Sequence, residues 1–410
     1  MSFQMLKKEA VNHILTHPEK FKRIVWPLAI AQTFLWAGAF YLFPSLLGAW
    51  ERQLGWSKTE AAGAFTSALL LSAFLAPIVG KQIDRGRSRI LFPTATLITA
   101  VLLGSLSFVT ELWHFYFVWA SLGVVMAGSL YEPCFAILTL YMGKRASQSI
   151  TLVTLLAGFA GTIAFPTAHA LMEEIGWRGV VLVFAGLIGF ISAPLNFYAV
   201  SQAQTANPAP PEPPALNTGQ AFNPATLRIF VLLGFAFAAM AFDHNAILSH
   251  MLVLFDERGV HPDLAVFAAA MIGPMQVAGR LAMLAFEGRV QIVSVAIAAF
   301  LSMAFATLML FGVGSEMVFL VLFVLFQGAG FGVASIVRPI LIAELLGRRR
   351  FGAIAGFLAV PFLFSMAMAP SIAGIIWNIG GYHSLIITTA TIGLTGVLAL
   401  AIAARSARGI

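Results

Sequence analysis

Four charged side chains lie inside long apolar stretches of the sequence, and these are the residues best suited to bind or transfer an ion. They are Glu132, Asp243, Arg280 and Arg338. On insertion scales, a charge at the centre of a hydrocarbon layer costs about 2.5–3.5 kcal/mol, so it tends to face a partner or a water-filled space. Charges kept at such a cost indicate a functional site, and each has a structural alternative.

Arg280 follows Gly279 within an otherwise apolar segment. Its guanidinium stays charged and presents a planar fork of N–H donors that matches a carboxylate. The sequence therefore predicts Arg280 as the anchor of an anionic substrate. The structural alternatives are a pair with an acidic residue, or a side chain that extends toward the membrane surface.

Asp243 and His244 stand together in an unusually polar patch of an apolar segment. A carboxyl group in a low-dielectric environment can hold a proton, and a histidine can share that role. We expect this pair to act in proton coupling or substrate contact. The alternative is a local break in the helix, with the polar side chains bonded to freed backbone groups.

The composition excludes a protein surrounded by water. The chain of 410 residues is 60% hydrophobic and only 10% charged, and its mean hydropathy is +0.90, whereas soluble proteins are about one quarter charged. The net charge of +7 could suggest a nucleic acid partner. The basic residues, however, lie in short runs between apolar segments, which indicates a lipid bilayer and no nucleic acid.

The apolar segments predict an all-α integral membrane protein, because each is close to the roughly 20 residues that cross a bilayer. Twelve transmembrane helices are expected at about 24–48, 60–79, 90–110, 114–141, 150–172, 178–200, 226–255, 264–286, 289–313, 316–346, 351–377 and 384–404.

Equal halves indicate an internal duplication, which is common in transporters. We expect a segment at 1–23, a six-helix bundle at 24–200, a proline-rich linker at 201–225, a second six-helix bundle at 226–404 and a tail at 405–410. Most of the 24 lysines and arginines then fall on the side of the N-terminus. The positive-inside rule places both termini in the cytoplasm of a bacterial-type inner membrane.

A basic sequence between the second and third predicted helices, Gly-Lys-Gln-Ile-Asp-Arg-Gly-Arg-Ser-Arg, is here called the 80–89 motif. It resembles the loop signature of the major facilitator superfamily, and the resemblance covers nearly the whole chain. The residues that carry it are Gly80, Asp84, Arg85, Gly86 and Arg87. Glycine permits close helix approach, and the aspartate can meet a helix N-terminus or a base. The alternative is a basic loop that only sets topology.

Other features resemble the monocarboxylate transporter and oxalate/formate antiporter branch. They are Leu54-Gly55-Trp56-Ser57, Pro166, Gly176-Trp177-Arg178 and Gly279-Arg280. In that branch an arginine in helix 8 faces the cavity and holds a substrate carboxylate, and Arg280 is at the matching position. The eleventh predicted helix has no lysine, which argues against a dianion held between two bases.

The resemblance also implies that helices 1, 4, 7 and 10 line a central cavity. Glu132 and Arg338 each precede a proline in the fourth helix of their half, so they are expected to form a salt bridge across the cavity; the alternative is that each pairs within its own half. Trp36, Tyr131 and Gln32 are expected to contact the substrate, although packing between helices is the ordinary role of such aromatic residues.

Together these features predict a secondary active transporter that moves a small organic anion, a monocarboxylate, by alternating access. Proton symport or anion exchange would supply the driving force, with Asp243 or Glu132 as the proton carrier. The alternatives are proton-driven efflux of a drug or amphipathic metabolite and a non-transporting sensor. No catalytic or metal-binding pattern and no phosphate-binding loop occurs in the sequence. We therefore expect that the protein is not an enzyme and has no cofactor. We also expect it to be a monomer.

Overall fold

The helical stretches of the chain are long and apolar. The computed structural model describes residues 18–206, 224–285, 289–348 and 350–408. Within them, ten helical stretches are long and apolar enough to cross a membrane. A helix satisfies its backbone hydrogen bonds internally, which is why apolar sequences of this length adopt it in a bilayer. The prediction of an all-α membrane protein is confirmed.

Two of the ten stretches contain two helices each. Ala146–Thr205 and Phe351–Ala407 have 60 and 57 residues, enough to cross twice. At Gly176 (φ 64°) and Gly381 (φ 63°) the backbone leaves the helical conformation, which a glycine does at little cost. Ten stretches, two of them divided by a glycine, correspond to twelve helices in the described residues; that each of the twelve crosses the membrane stays a prediction.

The helices are named α1 to α12 in chain order. The first six are α1 (Pro18–Trp36, a π-helical turn Ala37–Tyr41, and Leu42–Leu54), α2 (Lys58–Asp84), α3 (Ser88–Ser105), α4 (Leu112–Ser129 and Tyr131–Met142), α5 (Ala146–Ala157 and residues 160–175) and α6 (residues 177–187, a π-helical turn Ile188–Ser192, and Ala193–Ala206). The last six are α7 (Pro224–Glu257), α8 (Pro262–Ala285), α9 (Ile292–Met309), α10 (Met317–Leu345), α11 (residues 351–380) and α12 (residues 382–408).

Three details differ from the sequence-based expectation. Helix α1 is longer at both ends than residues 24–48. Helix α2 continues to Asp84, so the first half of the 80–89 motif is helical and not part of a loop. Helix α4 is interrupted at Leu130 (ψ −151°), three residues before Pro133, because a proline cannot donate to the preceding turn and clashes with its carbonyl.

The chain divides into two compact units. The first contains α1 to α6 together with Arg348–Phe357, which includes the first turns of α11. The second contains α7 to α10, the remainder of α11 from Leu358 onward, and α12. Residues 1–17 of the expected N-terminal segment, 207–223 of the expected linker and 409–410 of the expected tail lie outside the described residues.

Glycines allow corresponding helix pairs in the two units to pack backbone against backbone. In the first unit, a Cβ added to Gly123 of α4 would lie 2.3 Å from the backbone oxygen of Ala68 in α2. In the second unit, a Cβ at Gly279 of α8 would lie 2.5 Å from the backbone oxygen of Ala329 in α10. Small residues at such crossings are the usual basis of helix association in membranes. The close crossing of α8 and α10 brings the residue after Gly279 to the surface of α10.

Two glycines of α8 give a matched test of this packing. A Cβ at Gly279 meets backbone atoms of Ala329, whereas a Cβ at Gly273 has no atom within 4 Å. Gly279→Ala should therefore lower the free energy of unfolding by about 1–3 kcal/mol, the usual cost of overpacking. Gly273→Ala should change it by less than about 0.5 kcal/mol. Equilibrium unfolding in mixed micelles measures both, and equal losses would contradict the crossing.

Candidate functional site

Arg280 is a buried cation held against α10. Its side chain is 5% exposed. The Nε atom donates to the Gly332 carbonyl oxygen at 3.3 Å, and Nη2 donates to Ser335 Oγ at 3.4 Å. Ser335 Oγ in turn donates to the Gly332 carbonyl at 2.8 Å. Two atoms of the guanidinium are thus tied to one turn of α10, which fixes the direction of its fork.

The arrangement suits Arg280 to bind an anion. A guanidinium carries five N–H donors in a rigid plane, and two parallel donors match the two oxygens of a carboxylate. Few water molecules compete inside an apolar bundle, so a charge–charge contact is stronger there than at the surface. The sequence offered no signal for Gly332 and Ser335, the residues that orient Arg280.

Asp243 lies in the interior of the second unit, on the side of α7 that contacts α9 and α12. Its side chain is 1% exposed, and Oδ1 accepts a hydrogen bond from Thr307 Oγ1 of α9 at 2.8 Å. Oδ2 is buried and has no hydrogen-bond partner. A cavity of about 10 Å³ lies beside this carboxylate. The residues that line it are Met240, Asp243, Phe300, Met303, Ala304 and Gly393.

His244, the next residue of α7, faces α10 instead. Its ring stacks on Phe331 with 3.5 Å between centroids and an angle of 4° between planes. Its Nδ1 lies 3.3 Å from Nε2 of the buried Gln327, and the Gln327 side chain also lies close to the Asp243 carboxylate. Gln327 therefore connects the two polar residues that the sequence placed together.

The alternative interpretation of this patch, a break in the helix, is wrong. Helix α7 is continuous from Pro224 to Glu257. Asn245 donates from Nδ2 to the carbonyl of Ala241, four residues earlier in the same helix, at 2.8 Å. A polar side chain bonded to its own intact helix satisfies itself without opening the backbone.

In the first unit, Trp36 and Tyr131 form an aromatic pair between α1 and α4. Their ring centroids are 4.5 Å apart, and both side chains are partly exposed. The Trp36 ring also lies 5.0 Å from that of Phe40, and Tyr131 stacks on Phe135 at 4.9 Å. The π-helical turn that begins at Ala37 follows directly after Trp36, and such turns are frequent at functional sites.

Gln32, one turn before Trp36, bonds to the backbone of α4. Its Nε2 donates to the Ser129 carbonyl oxygen at 2.8 Å. In an unbroken helix that carbonyl would accept from the residue four positions later, but this residue is Pro133, which has no N–H. Gln32 therefore supplies the donor that the proline removes, while its Oε1 is buried and has no partner.

Glu132 belongs to the first unit and Arg338 to the second. Glu132 lies in the first turn after the interruption of α4 and is partly exposed. Arg338 is 7% exposed, and its guanidinium lies 4.2 Å from the centre of the Phe362 ring in α11, a cation–π geometry. A salt bridge between Glu132 and Arg338 stays a prediction.

Asp84 of the 80–89 motif caps the N-terminus of α11 within the first unit. Its Oδ1 accepts from the Gly352 backbone N–H and its Oδ2 from that of Ala353, both at 2.8 Å. These are unpaired donors of the first helical turn, which carries a partial positive charge. Gly80 permits the approach, because a Cβ there would lie 1.8 Å from the Gly352 carbonyl oxygen.

The remaining motif residues form the turn between α2 and α3. Gly86 has a positive φ of 80°, which glycine adopts readily. Arg87 donates from Nη1 to Gln82 Oε1 at 2.8 Å, and Arg85 is exposed. Elsewhere in the described residues, no group of three or more His, Cys, Asp or Glu side chains is placed to hold a metal ion.

The long apolar helices of the described residues, grouped into two units, define a multi-pass membrane protein. A sequence profile of the Major Facilitator Superfamily matches residues 28–304, and the chain belongs to this superfamily.

Relatives and solved structures agree with this family. The chain is 25% identical to human monocarboxylate transporter 6 over 203 residues. The match covers 47% of this chain and 40% of the relative, so it spans about two fifths of that protein. The fold is similar to the human organic anion transporter MFSD10 (TM-score 0.73, 15% identity, 94% of this chain and 100% of that chain). It is also similar to the fucose:proton symporter of E. coli (TM-score 0.67, 15% identity, 93% and 97%).

The bond between Gln32 and Ser129 can be tested by a double-mutant cycle. Gln32→Leu leaves a buried carbonyl without a donor and should lower the free energy of unfolding by about 1–3 kcal/mol. Pro133→Ala returns a backbone N–H to the position from which Ser129 can be satisfied. The loss caused by Gln32→Leu should therefore be smaller in the Pro133→Ala background. Equilibrium unfolding of the four proteins measures the coupling, and additive losses would contradict it.

The cap made by Asp84 can be tested with its neutral isostere. Asp84→Asn removes the negative charge and one of the two acceptors, so it should lower the free energy of unfolding by about 0.5–2 kcal/mol, as loss of a helix cap does. Arg87→Gln, in the same turn but exposed, should change it by less than about 0.5 kcal/mol. Thermal unfolding in detergent compares them, and an unchanged Asp84→Asn protein would refute the cap.

Proposed function

We propose that the protein is a secondary active transporter of small organic anions, with a monocarboxylate as substrate. The observation that carries the proposal is the oriented guanidinium of Arg280, buried in α8 and bonded to Gly332 and Ser335 of α10. A substrate carboxylate would bind the fork of this guanidinium. The names of two similar proteins, a monocarboxylate transporter and an organic anion transporter, support the same substrate class.

The energetic argument favours a substrate anion over a purely structural role. A cation inside a membrane protein costs about 2.5–3.5 kcal/mol on insertion scales, so it is retained where it serves a function. The Gly332 carbonyl and the Ser335 hydroxyl of α10 orient the guanidinium of Arg280. A carboxylate that enters the site would form a charge-assisted pair with the guanidinium, and such a pair is better suited to a low-dielectric interior than either ion alone.

Other residues receive roles in the same proposal. Trp36, Tyr131 and Gln32 would contact the organic part of the substrate from the first unit. Arg338 would provide a second positive charge, and Glu132 would act in gating. Proton symport or anion exchange would drive transport in a bacterial-type inner membrane, with both termini cytoplasmic. During each cycle the bonds from Asp84 to the start of α11 would break and reform.

The test is a thermal-shift screen of small monocarboxylates, followed by uptake into proteoliposomes. A carboxylate at 100 times its dissociation constant should stabilise the wild-type protein by about 2.7 kcal/mol. Arg280→Ala should abolish that shift and lower uptake roughly 100-fold, the effect expected when a charged hydrogen bond of about 3 kcal/mol is lost. Arg280→Lys keeps the charge but loses the fork, so it should fall between the two.

Arg289→Ala provides the control, because Arg289 is exposed and follows α8. It should bind and transport like the wild type. Carboxylate binding that survives in Arg280→Ala would refute the anchor, and a wild-type protein that responds to none of the carboxylates would refute the substrate class.

A further inference from the structure

We propose that Asp243 and the cavity beside it form a proton-binding site, in which one proton resides on Oδ2 and is exchanged through the cavity between α7, α9 and α12. The proposal deepens the proposed transport function, because it names the coupling ion and the place where it is held. It concerns residues of the second unit only, and it adds Gln327, Thr307 and Gly393 to those that sequence analysis identified.

The first argument is an excess of hydrogen-bond acceptors. Asp243 Oδ2 and Gln327 Oε1 are both buried and both lack a hydrogen-bond partner. Each unsatisfied acceptor costs about 1–3 kcal/mol. The two side chains are close neighbours. A single proton on Oδ2 would turn that oxygen into a donor toward Gln327 Oε1 and satisfy both atoms at once.

The second argument is that the same cluster has a satisfied arrangement without the proton. With Asp243 protonated, Gln327 Nε2 would stay toward His244 Nδ1, as observed at 3.3 Å, and Gln327 Oε1 would accept the hydrogen bond from Oδ2. With Asp243 ionised, the amide would turn by 180°, so that Nε2 donates to Oδ2 and Oε1 accepts from His244 Nδ1; His244 stays neutral because its ring proton moves from Nε2 to Nδ1 in a change of tautomer. The cluster can therefore gain and lose one proton without leaving a buried group unpaired.

The cavity determines which ion fits. A volume of about 10 Å³ is close to the minimum for one water molecule. Among the side chains that line it, Asp243 supplies the oxygen atoms and the others are apolar or glycine. Hard metal cations take about six or more oxygen ligands, so this wall is too poor in oxygen for one. A proton needs one oxygen, and one water molecule is enough to deliver it.

The surroundings contain no competing charge among the described side chains that bond Asp243 or line the cavity. Thr307 is the hydrogen-bond partner and Gln327 a close neighbour. The wall of the cavity is formed by Met240, Phe300, Met303, Ala304 and Gly393. The nearest titratable group along α7 is His244, which contacts the cluster through Gln327. Proton binding is thus controlled by Asp243 with His244 as its linked neighbour.

A substitution at Gly393 can fill the cavity while the Asp243 carboxyl group itself stays unchanged. A Cβ at this position would lie 3.6 Å from Ala304 Cβ and 3.7 Å from Asp243 Oδ1, so alanine fits and occupies the space. Gly234 is a matched control in the same unit, since its Cβ would meet Leu358 Cδ2 at 3.4 Å and Pro361 Cγ at 3.6 Å. Gly234→Ala adds the same methyl group but does not fill this cavity.

The experiment is infrared spectroscopy of the full-length protein in lipid bilayers, without substrate, as the buffer is changed from alkaline to acidic. The wild type should develop the carbonyl band of a buried carboxylic acid, and Asp243→Asn should lose that band. Gly393→Ala should retain it but slow its hydrogen–deuterium exchange roughly tenfold, because the space for the exchanging water is filled. Gly234→Ala should exchange at the wild-type rate.

Several outcomes would overturn the proposal. A band unchanged in Asp243→Asn would assign the proton elsewhere, and unchanged exchange in Gly393→Ala would exclude the cavity as its route. A band that disappears with sodium chloride but not with choline chloride would make sodium the occupant. If Asp243→Asn does not fold, Thr307→Val serves instead: it removes the donor to Oδ1 and should shift the band, and no shift counts against the site. Because the infrared experiment contains no substrate, its result does not depend on the outcome of the Arg280 uptake test.

Discussion

A polar group inside an apolar helix bundle must find its hydrogen-bond partners within the protein, and this constraint organises every site described above. The Arg280 guanidinium bonds to Gly332 and Ser335, and the Asp243 carboxylate bonds to Thr307. Each contact crosses from one helix to another, so it fixes the helix pair as well as the side chain. The same contacts therefore satisfy the functional charges and hold the helices of the bundle together.

Proline creates part of this demand. Pro133 removes a backbone donor from α4, and the Ser129 carbonyl is then served by Gln32 of α1. At the corresponding place in the second half, Arg338 and Pro339 lie three and four residues after Ser335. In both halves a proline in the fourth helix lies next to a charged residue. The interruption of α4 thus lies beside the aromatic pair of Trp36 and Tyr131, where a substrate contact is proposed.

The sequence was a good guide to the helices and a poor guide to the partners. Hydropathy predicted twelve helices because each span is long and apolar, and the basic 80–89 motif indicated the helix cap made by Asp84. The partners of the buried charges were missed. Asp243 and Thr307 are 64 positions apart, and Asp84 and Gly352 are 268 apart. A single threonine or glycine in an apolar helix has no local pattern that distinguishes it from its neighbours.

The alternative interpretation of a break in α7 is wrong for a related reason. Several polar residues in succession suggested that the backbone had opened, but Asn245 bonds to its own helix and Asp243 to a neighbouring one. Side chains on different faces of one helix can be satisfied separately, because consecutive residues point about 100° apart. Asp243 thus bonds to Thr307 of α9 and His244 contacts α10, and Gln327 of α10 links the two residues.

The central claim is that Arg280 binds the carboxylate of the transported molecule. The most direct measurement is an experimental structure with a brominated monocarboxylate bound, in which anomalous scattering locates the bromine and so the orientation of the ligand. The account predicts that both carboxylate oxygens accept hydrogen bonds from the Arg280 guanidinium. A carboxylate bound elsewhere, beyond hydrogen-bonding distance of Arg280, would contradict it.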